Sequence, residues 1–294
     1  MRLLTTSEAA EYLRLKERKL YELVSEGAIP CTKVTGKWLF PKEELDAWLS
    51  GSLIRPEGMQ RAETMPIVGG SHDPLLEWAL RESGSGLAIL AEGSEAGLRR
   101  FQDGGLVAAA IHLHDKTNEN DDANLEAIRT RPGFHDAVLV AFVRRDVGLL
   151  TADGNPLGLA NIKDVERTRA RMATRQEGAG AQLLLEALTY REKINLNQLV
   201  LIEPPCPTGG DVAQAIKVGR ADCGIAVRAV AHAAGLNFVP ILSERFDLVV
   251  RQRDYFRPSL QRFFAFLNSP TVRARAEELG GYDLAEIGHI RYAP

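Results

Sequence analysis

The sequence of 294 residues predicts an α/β protein in two parts, a small winged helix-turn-helix module followed by a larger sheet domain. Three observations lead there. The chain exceeds the usual size of a single hydrophobic core, so more than one structural unit is expected. The composition shifts near residue 50, where charged helical segments and short basic turns give way to "GSLIRPEGMQRAETM", a stretch without periodicity. Beyond it, short apolar runs alternate with helical stretches, the pattern of a mostly parallel sheet covered on both faces. Residues 1–50 are read as the first domain, 51–64 as a linker and 65–294 as the second domain.

In the first domain, Thr6 or Ser7 is placed to cap a helix that contains Ala9, Ala10 and Leu13. A tight turn near Leu15 leads into a second helix, which turns Leu20, Leu23 and Val24 inward and presents Lys16, Arg18 and Lys19 at its start. "CTKVTGKWLF" reads as a short hairpin turning at Thr35-Gly36, and "PKEELDAWL" as a third helix packing Leu45 and Trp48. Trp38 and Trp48 are expected in the core, because Leu39, Phe40 and Leu49 beside them are apolar. Residues 1–50 hold eight Lys/Arg and eight Asp/Glu, a balance that a solvated module of mixed charge would also show. Distribution separates the readings, since basic side chains gather at 14–19 and 33–37 while Glu43, Glu44 and Asp46 lie in the last helix.

The stretches "LLTTSEAAEYLRL", "LYELVSEGAIP" and "KVTGKWLFPKEELDAWL" resemble the excisionase-family, MerR-like DNA-binding domain across the whole of 1–50. The resemblance implies that the second helix enters the major groove of double-stranded DNA and that the Gly36 wing meets backbone or minor groove. Lys16, Arg18, Lys19, Tyr21, Lys33, Gly36 and Lys37 are then the DNA-facing residues. One such module covers little DNA, so a homodimer on a pseudo-palindromic site is expected.

The second domain opens with the strand-like runs "PIVGG", "LAILAEG", "LVAAAIHLH", "AVLVAFV", "LNFVPIL" and "FDLVVR", separated by helices such as "DPLLEWALRES" and "AQLLLEALTYRE". "RMATRQEGAGAQLLLE" reads as a strand end, a glycine turn and the start of an apolar helix. Helix N-termini present unpaired N–H groups and a positive dipole end, so an anion suits that turn, and Arg175 adds a forked donor. Ser71 and Ser94 each follow a glycine ahead of a helix, where a hydroxyl either caps the helix or converges on an acceptor-rich ligand. His112 is read as a hydrogen-bonding residue of the same pocket, and His72 either lines it or faces solvent. His112, His114 and Asp115 lack a further well-spaced donor, so no metal site is expected.

"VGGSHDPLLEWAL", "AEGSEAGLRRFQDGGLVAAAIHLHD", "TRQEGAGAQLLLEAL", "TGGDVAQAIKVGRADCGIAVRAVAHAAGLNFVPI" and "RFDLVVRQ" resemble, in that order, segments of periplasmic-binding-protein-like sensors, including molybdate/tungstate-binding-protein-like ones, over about 66–270. The resemblance implies a two-lobed type II fold, with lobe I at about 65–138 and 248–294 and lobe II at about 139–247. The chain would cross between lobes near Ala137–Val143 and Glu244–Val249. The ligand would sit in the cleft, held by Ser71, His72, Ser94, His112, Arg175, Gln176, Thr208 and Asp211. Two departures bear on its identity: Ala179 and Ala181 stand where tungstate- or molybdate-type relatives carry hydroxyls, and Asp211 adds a carboxylate beside Gly209. The expected effector therefore ranges from an oxyanion such as tungstate or molybdate to an organic anion, a zwitterion or a pterin.

Catalysis and cofactors are not expected. "RQEGAGAQ" lacks the Lys-Ser/Thr ending of a P-loop, and neither G-x-G-x-x-G after the first strand nor G-x-S-x-G occurs. The consecutive Ser, His and Asp of "GGSHD" cannot form a triad by themselves. The net charge of -3 excludes a uniformly basic coat. Cys31, Cys206 and Cys223 lie too far apart in sequence to suggest a disulfide framework, and no signal peptide or membrane span is visible. The expectation is a cytoplasmic, ligand-responsive transcriptional regulator; a small-molecule-binding enzyme or an adaptor with a DNA-targeting module are the alternatives.

Overall fold

The computed structural model describes residues 3–34, 36–51, 64–115 and 122–294. The chain divides into two compact units, Met1–Ala62 and Glu63–Pro294. Thr35 of the expected hairpin turn and residues 52–63 of the expected linker lie outside the described residues.

The first unit runs β1 (Leu3–Thr5), α1 (Thr6–Leu13), α2 (Glu17–Ser25), β2 (Thr32–Val34), β3 (Lys37–Pro41) and α3 (Lys42–Gly51). Thr5, rather than Thr6 or Ser7, caps α1: its side chain accepts from Glu8 N, and the Glu8 carboxylate accepts from Thr5 N at 2.8 Å. The start moves because Leu3–Thr5 form a strand that the sequence reading lacks, with Leu4 opposite Phe40 on β3. Arg14 ends α1 in a left-handed conformation at φ 53. Leu4, Ala9, Ala10, Leu20, Ile29, Phe40 and Leu45 form the core, with Trp38 and Trp48 packed against it.

The second unit begins β4 (Ile67–Gly70), α4 (Pro74–Glu82), β5 (Ala88–Ala91), α5 (Ser94–Gln102), β6 (Ala108–Ile111), α6 (Ala123–Thr130), β7 (Ala137–Thr151) and α7 (Ile162–Thr168). It continues β8 (Arg171–Arg175), α8 (Gly180–Arg191), β9 (Val200–Cys206), α9 (Gly209–Lys217), β10 (Cys223–Val227), α10 (Arg228–Ala234) and β11 (Asn237–Arg251). The chain closes with α11 (Gln252–Tyr255), α12 (Pro258–Leu267), α13 (Pro270–Leu279), β12 (Tyr282–Asp283) and β13 (Ile290–Tyr292). One sheet runs β5-β4-β6-β11-β7-β10-β8-β9, with β12 and β13 also on β7.

Two 15-residue strands, β7 and β11, shape this unit. They pair antiparallel along almost their full length. One end of the pair carries β6 against Asp247–Val250 of β11, and the other carries β10 against Val147–Thr151 of β7. Two half-sheets, each with parallel neighbours, thus share the same two strands. The strands pass from one to the other at 142–146 and 242–246, next to a register shift between Phe246 and Asp247 that bends the pair. The runs "LNFVPIL" and "FDLVVR" are therefore one strand: Ser243, Glu244 and Arg245 interrupt the apolar pattern but pair with Asp146, Arg145 and Arg144 opposite. No helix among the described residues is long and apolar enough to cross a membrane.

Candidate functional site

At the strand crossing the second unit opens a small cleft. His72 and Pro74 line it from the start of α4, and Arg145, Val147 and Glu244 from the crossing strands. Arg175, Ala181, Gly209 and Val230 line the opposite wall, from the other half-sheet. Its floor is a buried ionic network. Arg145 Nε and Nη2 donate to Glu244 Oε1 at 2.8 and 2.7 Å, and Nη1 donates to Asp73 Oδ2 at 2.7 Å. Asp73 caps α4 with its other oxygen, accepting from Leu75 N and Leu76 N, and takes the Tyr282 hydroxyl at 3.0 Å. The guanidinium lies 4.1 Å from the Phe246 ring centroid.

These bonds decide the charge states. Burial alone pushes the Glu244 carboxyl up, but the electrostatic pull of the adjacent His112 imidazole, the Arg145 charge and the bond to His114 outweigh it and hold it well below the usual carboxylate range. Burial works against the Arg145 cation, yet Glu244 and Asp73 raise its pKa. Burial, reinforced by the Asp73 charge, pushes the Tyr282 phenol well above its ordinary value. The floor is an ion triad with a neutral tyrosine at one end.

Two histidines follow β6. His114 Nε2 lies 2.7 Å from Glu244 Oε2. His112 Nδ1 lies 3.0 Å from Glu244 Oε1 but out of line for a hydrogen bond, and it is buried without a partner among the described residues. Burial pushes the His112 imidazole down to about 4, so it is neutral at physiological pH. The ring stacks on Phe246 and packs over the first residue of α8. A Cβ at Gly180 would fall 2.2–2.4 Å from three ring atoms, which is why that helix opens on glycine.

The remaining expected ligand residues are placed as follows. Ser71 and Ser94 share a hydrogen bond of 2.7 Å, and Ser94 Oγ also bonds the His112 N–H and carbonyl at 3.1 and 3.2 Å. Neither caps a helix: Asp73 caps α4, and Gly93 precedes α5 without a side-chain cap. Their hydroxyls fix the His112 backbone from behind. Thr208 and Asp211 form a capping box on α9, with Thr208 Oγ1 donating to Asp211 Oδ2 at 2.6 Å. Arg175 ends β8; its Nε donates to Cys206 O at 2.8 Å and its Nη2 to Pro207 O at 2.6 Å, while Gln176 Oε1 lies 3.3 Å from Nε. Burial lowers the Arg175 pKa to about 10, which still leaves it charged. Ala179 precedes α8 with no side-chain cap on that helix. Of the sequence-named residues, His72, His112 and Arg175 meet in the cleft. Arg145, Glu244 and Asp73 were missed; the signal available was a pair of polar triplets, Arg144–Asp146 and Ser243–Arg245, each interrupting an apolar run.

In the first unit, Lys16 sits at the N-cap of α2, and Arg18 and Lys19 are exposed within 3.5 and 3.1 Å of Glu22. Tyr21 is exposed on the same helix. Lys33 on β2 lies 5.1 Å from the Trp38 ring centroid, and Lys37 starts β3 after Gly36, whose φ of 83 suits a turn.

Comparison with known proteins gives two family matches, a PBP superfamily domain over residues 76–268 and a helix-turn-helix domain over residues 3–52. The uncharacterized protein YvgK of Bacillus subtilis (strain 168) is 26% identical over 305 aligned residues, covering 97% of this chain and 96% of its own. A phosphate ABC transporter substrate-binding protein from Clostridium perfringens, with bound phosphate, is similar at a TM-score of 0.52 and 12% identity, covering 72% of this chain and 97% of that one. The tungstate ABC transporter of Geobacter sulfurreducens is similar at a TM-score of 0.50 and 12% identity, covering 74% and 100%. At these identities the structural likeness is one of fold.

Proposed function

The chain belongs to the PBP superfamily, with a helix-turn-helix domain ahead of the matched region, and on that premise we propose a ligand-responsive transcriptional regulator whose cleft takes a small anion. The observation that carries the ligand class is Arg175. It is a half-buried cation whose Nε and Nη2 donate to neutral carbonyls, and no carboxylate bridges it among the described residues. Asp211 acts on it only through space, and an anion in the cleft supplies the direct counter-charge that a desolvated cation favours. The α8 N-terminus beside it lacks a side-chain cap, so its N–H groups and dipole favour the same occupant. The phosphate bound by one structural neighbour and the tungstate that the other is named for are of that class. Ala179 and Ala181 offer no hydroxyls, so small carboxylates remain in the range beside oxyanions.

The first unit supplies the DNA-binding half of the proposal, with Lys16, Arg18, Lys19, Tyr21, Lys33, Gly36 and Lys37 facing duplex DNA in a homodimer. An effector that touches Arg175 on one half-sheet and His72 or His112 on the other binds the closed arrangement of the crossing strands best, and so shifts the population toward it. Calorimetric titration of the full chain with phosphate, sulfate, molybdate, tungstate, small carboxylates and a pterin tests the cleft. Arg175→Ala is expected to cost about 2–5 kcal/mol of affinity for whichever anion binds. Equal affinity in variant and parent contradicts the assignment.

A further inference from the structure

The sequence reading expects no metal, because two histidines lacked a further donor. The fold supplies that donor from β11: His112, His114 and Glu244 each offer a ligand atom, all within 4.8 Å of one another. We propose that His112 Nδ1, His114 Nε2 and a carboxylate oxygen of Glu244 bind a divalent first-row transition-metal ion such as Zn2+.

Four features support this. Two imidazoles and one carboxylate, with a position left over, form a ligand set that zinc accepts. A four-coordinate ion with bonds of roughly 2.0–2.2 Å holds its ligand atoms about 3.3–3.6 Å apart; His114 Nε2 lies 2.7 Å from Glu244 Oε2 and His112 Nδ1 3.0 Å from the same carboxylate, so a shift of under about 1 Å admits the ion. His112 Nδ1 is a buried nitrogen without a hydrogen-bond partner among the described residues, and such a group in a folded protein calls for a ligand or an ion. The ring that carries it is held between Phe246 and Gly180, and Ser94 grips its backbone at both polar atoms, so the donor is preorganised.

Charge is consistent with a cation. Glu244 and Asp73 together outweigh Arg145 by one negative charge, and Arg145 already occupies Glu244 Oε1, leaving Oε2 toward His114. His114 takes part through the tautomer that carries its proton on Nδ1. Because His112 and Glu244 line the cleft, the remaining coordination position faces the space where the proposed anion would sit. The metal site shares that cleft and His112 with the proposed function, but Arg175 serves the anion alone and His114 and Glu244 the metal alone, so the two can fail separately.

The test uses the full chain, stripped with chelator and kept in oxyanion-free buffer, titrated with Zn2+ against a chromophoric competitor. One Zn2+ per chain is expected. His114→Ala and Glu244→Gln are expected to weaken it by more than the roughly 10–100-fold that loss of an outer-shell partner costs, while Arg175→Ala keeps it. Since Glu244→Gln also disturbs Arg145, a second readout needs no variant: Co2+ bound to the unaltered chain is expected to show the intense visible bands of a four-coordinate ion. No Zn2+ uptake, a Co2+ spectrum like that of the aquo ion, or equal uptake by a His112→Asn/His114→Ala double variant overturns the site. Metal uptake without binding of any anion supports the metal site and counts against the anion reading; anion binding without metal uptake does the reverse.

Discussion

Replacing Arg145 by methionine probes the network on which the cleft is built. Methionine keeps an unbranched apolar stem and removes the charge and donors. Arg145 is 2% exposed and makes bonds of 2.7–2.8 Å to Glu244 and Asp73, so its loss leaves two carboxylates buried without their counter-charge. Breaking a buried pair in this way costs about 3–5 kcal/mol, most of it the penalty of the stranded charges. The cost should depend on pH with a predictable sign. In the parent, Glu244 lies below its unfolded value, so its contribution is present above that value and is lost only as pH falls through the depressed one. In the variant only the imidazoles oppose burial, so the Glu244 pKa rises from its depressed value; the variant's folded state binds more protons than the parent's, and the deficit grows as pH rises. The deficit should be larger at about pH 7.5 than at about pH 5. Equilibrium urea unfolding followed by far-UV circular dichroism at both pH values measures it. A deficit under about 1 kcal/mol, or one equal at the two pH values, refutes the reasoning.

Three further outcomes are expected. Gly180→Ala places a Cβ 2.2–2.4 Å from the His112 ring, which Phe246 keeps from sliding away, so overpacking should cost about 1–3 kcal/mol despite alanine's better helix propensity; an unchanged or raised stability would show the ring to be loosely held. His112 is pushed down to about 4 from an ordinary 6.5, so the folded chain takes fewer protons than the unfolded one and stability is lost as pH falls below 6.5; the parent should lose about 2 kcal/mol more than His112→Asn between about pH 7.5 and about pH 5, and parallel pH curves for the two would contradict it. Neutralising Lys16, Arg18, Lys19 or Lys37 singly should lower the salt dependence of DNA binding by about one counterion each, and four unchanged slopes would move the DNA-facing surface elsewhere.

The first unit is legible in sequence because its signals are local: the apolar spacing of α1 and α2, the turn at Arg14 and the glycine of the wing all act within a few residues. The exception, β1, is a three-residue strand too short to show alternation, and its strand partner β3 lies more than thirty residues away. The same distinction governs the cleft. Arg175 and His72 stand beside turn and capping residues and could be named, whereas Arg145 and Glu244 are single polar residues inside strands that look like breaks until β7 and β11 pair. Thr208 and Asp211 illustrate the opposite case: a hydroxyl and a carboxylate at that spacing suit a ligand, but they also suit a capping box, and the local bond is the one the structure makes. The missing third donor to the histidines lies 130 positions from His114, beyond any local spacing rule.

Under the proposed function, occupancy of the cleft changes what the helix-turn-helix unit does on DNA. The measurement that bears on it most directly is the affinity of the full chain for a duplex selected from a random pool, followed by fluorescence anisotropy with and without a saturating anion that binds the cleft. A coupling of about 1–3 kcal/mol is expected, that is, a change of roughly 5–150-fold in DNA affinity, with the same factor appearing in anion affinity when DNA is present. Identical DNA affinities with and without the anion would contradict the account, even if the cleft binds that anion tightly.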